Sequence, residues 1–301
     1  MKKSVSMLLA ALMLTGALAG CGSSASTSAS DTQAEDGADS GVSGAITVIS
    51  REDGSGTRGA FIELTGVEEK TADGKKVDNT TADAEIANKT DVVLTSVAGN
   101  EKAIGYISLG ALNDTVKAVK VDGAEATVDN VKAGAYKLSR PFNIATKGEP
   151  TGVAKDFISF ILSKEGQAVV TDNKYIAVND AAESFVSDGS SGQIAVGGSS
   201  SVSPVMEKLI EAYKSVNPNA SIDLQTSDST SGMTGAMDGT FAIGMASREL
   251  KDEEAAQLTG TAIALDGIAV IVNPANTIDE LSMDQIKSIY VGDITDWGDL
   301  A

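Results

Sequence analysis

The stretch SREDGSGTRGAF, residues 50–61, decides the fold class because it joins two unlike patterns within a dozen positions. Before it, AITVIS is apolar and β-branched, the composition of a buried strand. After it, RGAFIELTG places Phe61 and Leu64 on one helical face and ends on Gly66, a residue suited to a left-handed C-cap. The unit is strand, loop, helix. Within the loop, Gly54 and Gly56 permit close backbone approach and Ser55 and Thr57 offer hydroxyls, while the helix directs unpaired N–H groups and its positive dipole end at the same place. Such a loop is either an anion cradle or a Gly-rich turn that caps a helix beside a surface arginine. Arg51 carries a planar fork of donors matched to an oxyanion, and Asp53 is placed to pair with it and hold its plane.

The same rhythm runs along the chain. DVVLTSVAG reads as a helix, AIGYISL and RPFNIAT as strands, and GVAKDFISFILS as an amphipathic helix ending near Gly166. QIAVGGSSSVSPVMEKLIEAYKSV reads as strand, Ser-rich turn and helix, with Pro204 in the first turn and Met206, Leu209, Ile210 and Tyr213 on one face. ASIDLQTS, FAIGMAS and IALDGIAVIV read as strands, and SMDQIKSIY carries a capping box from Ser282 to Gln285. Alternation of this kind predicts an α/β architecture.

A chain of 301 residues, 42% of them hydrophobic, is long enough for two lobes. Its first residues read as an export signal, 1–20, ending in LAGC, so Cys21, the single cysteine, is the expected site of lipid attachment. Residues 21–44 are mostly Ser, Ala, Thr, Gly and Asp with little to bury, a flexible linker. Setting aside Lys2, Lys3, Asp31, Glu35, Asp36 and Asp39 leaves 21 basic against 38 acidic residues, a formal charge of −17. That excess argues against nucleic acid or an anionic lipid surface as partner, so any anion site must be local. The chain has no histidine and no GxxxxGK[ST] loop, and its one cysteine is assigned to the lipid, which leaves the usual nucleophiles and metal sites of phosphoryl chemistry largely absent. A binding protein, not an enzyme, is expected, and no cofactor or metal.

Two further loops match the first in type. GGSSSVSP offers Ser199, Ser200 and Ser201 at a helix start, and SDSTSGMTGAM places Thr230, Ser231 and Gly232 at another. MASRE puts Ser247 and Arg248 at a strand end. Each is also an ordinary cap site; together they suit one small oxyanion held mainly by neutral donors with one or two arginines.

SREDGSGTRGAF, GSSSVSPVMEKLIEAY, SDSTSGMTGAMDGT, IGMASRELKDEE, LDGIAVIVNP, SIYVGDITDWGDL and AIGYISLG resemble the substrate-binding lipoproteins of the high-affinity ABC phosphate importers, over nearly all of residues 45–301. The resemblance implies a two-lobed, type II-like periplasmic-binding-protein fold with phosphate enclosed between lobes that close about a hinge. It implies a monomer outside the cytoplasm, lipid-anchored to the cell membrane, which delivers inorganic phosphate to the permease subunits of an ABC importer. Another tetrahedral oxyanion, sulfate or molybdate, is the alternative ligand.

The segment order differs from the family pattern and reads as a circular permutation, with 181–193 as the joining connection and Ala45 expected near the C-terminus. One lobe is then 45–143 plus 274–301, the other 144–273. Carried over residue by residue, the family's phosphate contacts fall on Arg51, Ser55, Gly56, Thr57, Ser200, Ser201 and Thr230. Where the family has an aspartate that accepts the proton of hydrogen phosphate, this chain has Ser247 and Arg248. Arg248 either contacts the ligand or pairs with Glu249 or a neighbouring acid. Asp266 is the candidate acceptor or, equally, the cap of a local turn.

Overall fold

The apolar run ahead of the Gly-rich loop forms the strand Thr47–Arg51, and Ser55 caps the helix Gly56–Thr65 that follows. Gly66 closes that helix in the left-handed conformation that glycine adopts without strain. The computed structural model describes residues 42–300. Export signal, Cys21 and most of the linker lie outside them. Residues 42–44, expected as linker, belong to the fold: Val42 packs against a core, Gly44 N–H donates to Asp296 Oδ1, and Trp297 N–H donates to Gly44 O.

One curled sheet runs through the molecule in the spatial order Ala220–Ser227, Gly192–Ser199, Ile243–Ala246, Ser139–Thr146, Thr259–Val272, Ala103–Ser108, Thr47–Arg51, Glu85–Ala87. Its two ends are parallel pairs, which require crossover connections, and the middle is antiparallel. The long strand Thr259–Val272 pairs with Ser139–Thr146 through its first part and with Ala103–Ser108 through its last.

Two large hydrophobic cores flank this middle. The first gathers Ile49, Phe61, Tyr106, Val270, Tyr290 and Trp297, with the Phe61 and Tyr106 rings stacked at 3.9 Å. The second gathers Phe142, Phe157, Phe160, Val196, Met206 and Tyr213. They define two lobes joined by the paired strands Ser139–Thr146 and Thr259–Val272. Leu138, just before the one, belongs to the first core and Phe142, within it, to the second; along the other, Ala264 belongs to the second and Ile268 to the first. Ile268 to Val272 therefore pack in the first lobe, whereas a boundary at Asn273 assigned them to the second. Continuous β-pairing across the crossing hid that change from the hydrophobic pattern.

Local signals translate element by element. The Ser282–Gln285 capping box is formed, and Met206, Leu209 and Tyr213 face the core. Leu64 is 39% exposed and does not share the buried face of Phe61. The helix read through to Gly166 is two, Gly152–Ile161 and Lys164–Asp172, because Ser163 caps the second. The connection at 181–193 is irregular and pinned: Phe185 meets Phe160 edge-on, and Asp156 accepts from Ser187 Oγ, Asp188 N–H, Tyr213 OH and Asn217 Nδ2. Burial opposes ionisation of Asp156, but these donors together hold its carboxyl below the usual range.

Candidate functional site

Loops from both lobes converge where their strands end. Arg51, the last residue of its strand, is buried and donates through Nη2 to Ser200 Oγ of the other lobe at 3.1 Å. Its plane is held by Glu52, which accepts from Nε and Nη2 at 2.8 Å each, and by Ala87 O. Asp53, expected in that role, is 97% exposed and pairs with Arg58. A strand-end side chain two residues further on points away from the guanidinium, whereas its neighbour Glu52 closes a fork.

Hydroxyls fill the space between the lobes. Thr57 Oγ1 lies 2.8 Å from Ser201 Oγ and 3.4 Å from Ser247 Oγ, and Thr90 Oγ1 lies 3.2 Å from Ser201 Oγ and 3.4 Å from Ser200 Oγ. Ser199 Oγ donates to Ser247 Oγ at 3.0 Å, and Ser247 N–H donates to Ser229 Oγ at 3.1 Å. All seven of these hydroxyl residues are buried. Groups of this kind donate or accept as the hydroxyl turns, so the cluster suits an oxyanion without adding net charge. Ser55 caps the first helix, accepting from Arg58 N–H at 3.3 Å. Gly56 lies so close to the second lobe that a Cβ there would clash with Ser229 Oγ and stand 2.8 Å from Ser247 Oγ. A main-chain bond, Thr230 N–H to Gly54 O at 3.1 Å, completes the contact between lobes.

Arg248 and Asp266 each stand beside a buried partner of opposite charge. Arg248 donates to both oxygens of buried Glu254, at 2.7 and 2.8 Å, and to Thr230 Oγ1 at 3.3 Å. Burial works against the Glu254 charge, yet Arg248 and the Lys251 N–H hold its carboxyl below the usual range. From Glu249 it takes only the main-chain oxygen. Asp266 stands directly opposite Arg140 across the paired strands, at the crossing between cores. Its Oδ2 lies 3.0 Å from Arg140 Nη1, and both side chains are buried. Burial pushes the Asp266 carboxyl up to about 6 against the opposing pull of Arg140. Arg140 in turn donates through Nη2 to Thr57 Oγ1 at 3.0 Å, so Arg140 stands between Asp266 and the hydroxyls. Asp266 lies within a strand, and its Oδ1 accepts from Gly110 N–H, in the short 3-10 turn Leu109–Ala111, at 3.4 Å.

Beside the cluster opens a cleft of about 700 Å³, lined among others by Ser55, Arg140, Thr230 and Arg248. Sequence reasoning missed Arg140, Thr90, Ser229 and Glu52. For Glu52 the signal was available, as an acid adjacent to the arginine; Arg140 sits in a strand with no loop motif to draw attention. Among the described residues no group of His, Cys, Asp or Glu is placed to hold a metal, and no helix is long and apolar enough to cross a membrane.

A family model described as a PBP superfamily domain matches residues 21–165 and 184–301. The chain belongs to the PBP superfamily. Within this superfamily it is 49% identical to phosphate-binding protein PstS 2 of Streptococcus agalactiae serotype V, over 99% of this chain and 98% of that protein. It is 47% identical to phosphate-binding protein PstS 2 of Streptococcus pneumoniae serotype 4, over 99% of both. A crystal structure of a phosphate ABC transporter phosphate-binding protein from Streptococcus pneumoniae TIGR4 superposes with a TM-score of 0.69 at 50% identity, covering 86% of this chain and all of that one. The two sequence alignments cover nearly the whole of each chain, so this chain shares its segment order with those two relatives, and no circular permutation is shown.

Proposed function

We propose that this protein captures inorganic phosphate outside the cytoplasm and delivers it to the permease of an ABC importer, tethered through lipidated Cys21. The observation that carries the reading is the cross-lobe cluster, in which a buried arginine and seven buried hydroxyl residues from both lobes meet. The names of its near full-length relatives support the same ligand. Arg51, Thr57, Ser200 and Ser201 are its contacting side chains, Ser55 and Gly56 shape the helix start that faces them, and Thr230 and Arg248 flank the entrance. The two lobes, 42–138 with 268–300 and 142–264, close on the anion by bending at the paired strands. The protein acts as a monomer and carries out no reaction.

Isothermal titration tests the site. Arg51→Ala should weaken phosphate binding by about 2–5 kcal/mol, because it truncates a desolvated partner. Lys208→Ala, which removes a solvated helix charge paired with Glu211, should change it little. Equal affinities for both variants would sink the assignment.

One observation favours a second tetrahedral anion, sulfate. Among the described residues, the buried carboxylates Asp266 and Glu254 each stand beside an arginine, and Arg140 lies between Asp266 and the hydroxyls, so neither carboxylate reaches the cluster to accept a proton from hydrogen phosphate and to repel sulfate. Competition decides: sulfate displacing phosphate at comparable concentration would establish the broader ligand class.

A further inference from the structure

Arg140 belongs to none of the loop motifs, yet it is the second buried guanidinium to reach the same hydroxyls. Arg51 Nη2 donates to Ser200 Oγ and Arg140 Nη2 to Thr57 Oγ1, and Ser201 and Thr90 lie between these two acceptors. Bringing two like charges to one group of neutral hydroxyls costs energy, and Arg51 adds to burial in disfavouring the Arg140 charge. An anion seated among the hydroxyls turns that cost into attraction.

A second observation lies at Arg140 itself. Its Nε has no hydrogen-bond partner, although the residue is 3% exposed. The other buried side-chain polar atoms without hydrogen-bond partners among the described residues are Ser108 Oγ, Tyr175 OH and Asp266 Oδ2. Arg140 is thus not saturated by its surroundings as Arg248 is by Glu254. It also lines the interlobe cleft together with Ser55 and Thr230.

We infer that Arg140 is a second anion-contacting guanidinium of this site, that Asp266 is its positioning partner, and that the two arginines together match an anion bearing two charges. The inference rests on the reading of the cluster as a phosphate site and adds to it a preference for the dianion. Asp266 attracts Arg140 from the opposite strand as an ion pair, Oδ2 to Nη1 at 3.0 Å without a hydrogen bond, and Gly267 O accepts from the same nitrogen at 3.4 Å. The charged and titratable groups around the pair are Arg51 with Glu52 across the hydroxyls, and Tyr175, whose phenol burial pushes up and out of the physiological range.

The test uses the full chain and isothermal titration with inorganic phosphate in three proteins: unsubstituted, Asp266→Asn, and Arg140→Gln with Asp266→Asn. The double variant leaves no orphaned carboxylate, and its comparison with Asp266→Asn isolates the arginine. Near pH 8, where phosphate is mainly the dianion, the double variant should bind about 100-fold more weakly than Asp266→Asn. Near pH 5, where the monoanion prevails, the difference should shrink below about tenfold. An equal loss at both pH values would reduce Arg140 to a structural support, and a loss under about threefold would remove it from the site. Should the double variant fail to melt cooperatively, Arg140→Lys replaces it, with a loss of about tenfold or more near pH 8 expected and unchanged affinity overturning the inference. No phosphate binding by the unsubstituted protein would overturn the underlying site reading as well, a result distinct from the others.

Discussion

Asp266 illustrates how one residue acquires a role from the strand opposite. Seen in ALDGIAV it is an acid in an apolar run; in the fold it faces Arg140 at the crossing between lobes, wholly buried. Because burial raises its folded-state pKa to about 6 from an ordinary 3.8, the folded protein binds a proton there that the unfolded chain releases. Its contribution is therefore fully present below about pH 4 and is lost as pH rises through about 6. Asp266→Asn should cancel that term: unfolding free energy measured by urea titration should fall less between about pH 4 and 6.5 than in the unsubstituted protein, by roughly 1–3 kcal/mol. Parallel profiles would contradict the shift. Arg51, Thr57, Ser200 and Ser201 were legible at this scale because loop motifs point to them. Arg140 was not, since a lone arginine in a strand looks like an edge residue until its partner across the sheet is known. The Arg51 support was misassigned to Asp53 because spacing alone does not say which of two adjacent acids turns inward.

Helix starts carry the site, and their sequence signatures were the most readable part of the chain. Ser55, Asp228 and Ser282 each cap a helix through the side chain. What the caps do not reveal is how near the facing element comes. At Gly56 the helix start touches Ser229 and Ser247, leaving no room for a methyl group. Gly56→Ala should hold the lobes apart and weaken phosphate binding by about 2 kcal/mol or more while leaving the melting temperature of the ligand-free protein nearly unchanged, because helix propensity favours Ala. Titration and thermal scans on the same sample check this; undiminished affinity would show that the lobes do not meet as described. The split of one expected helix into Gly152–Ile161 and Lys164–Asp172 has the same origin, a cap at Ser163 hidden inside an otherwise continuous apolar pattern.

At the scale of the whole molecule the α/β class and the two lobes follow from alternating patterns, but the place where one lobe becomes the other does not. Strands Ser139–Thr146 and Thr259–Val272 pass through both cores with unbroken apolar character, so only the packing partners mark the crossing. Closure joins the lobes by one main-chain bond, Thr230 N–H to Gly54 O, that opening must break. At about 1,000 times its Kd, phosphate should slow amide exchange of Thr230 by roughly 1,000-fold if that amide exchanges through opening of the liganded lobes. An exchange rate indifferent to phosphate would exclude such coupling. The clasp of Gly44 on Asp296 and Trp297 adds a mechanical property. Tension applied through the segment before Val42 loads the first lobe alone, between its own opening residues and its own last turn. If Cys21 anchors the chain as proposed, the anchor's load enters the fold at that clasp, apart from the two strands that join the lobes.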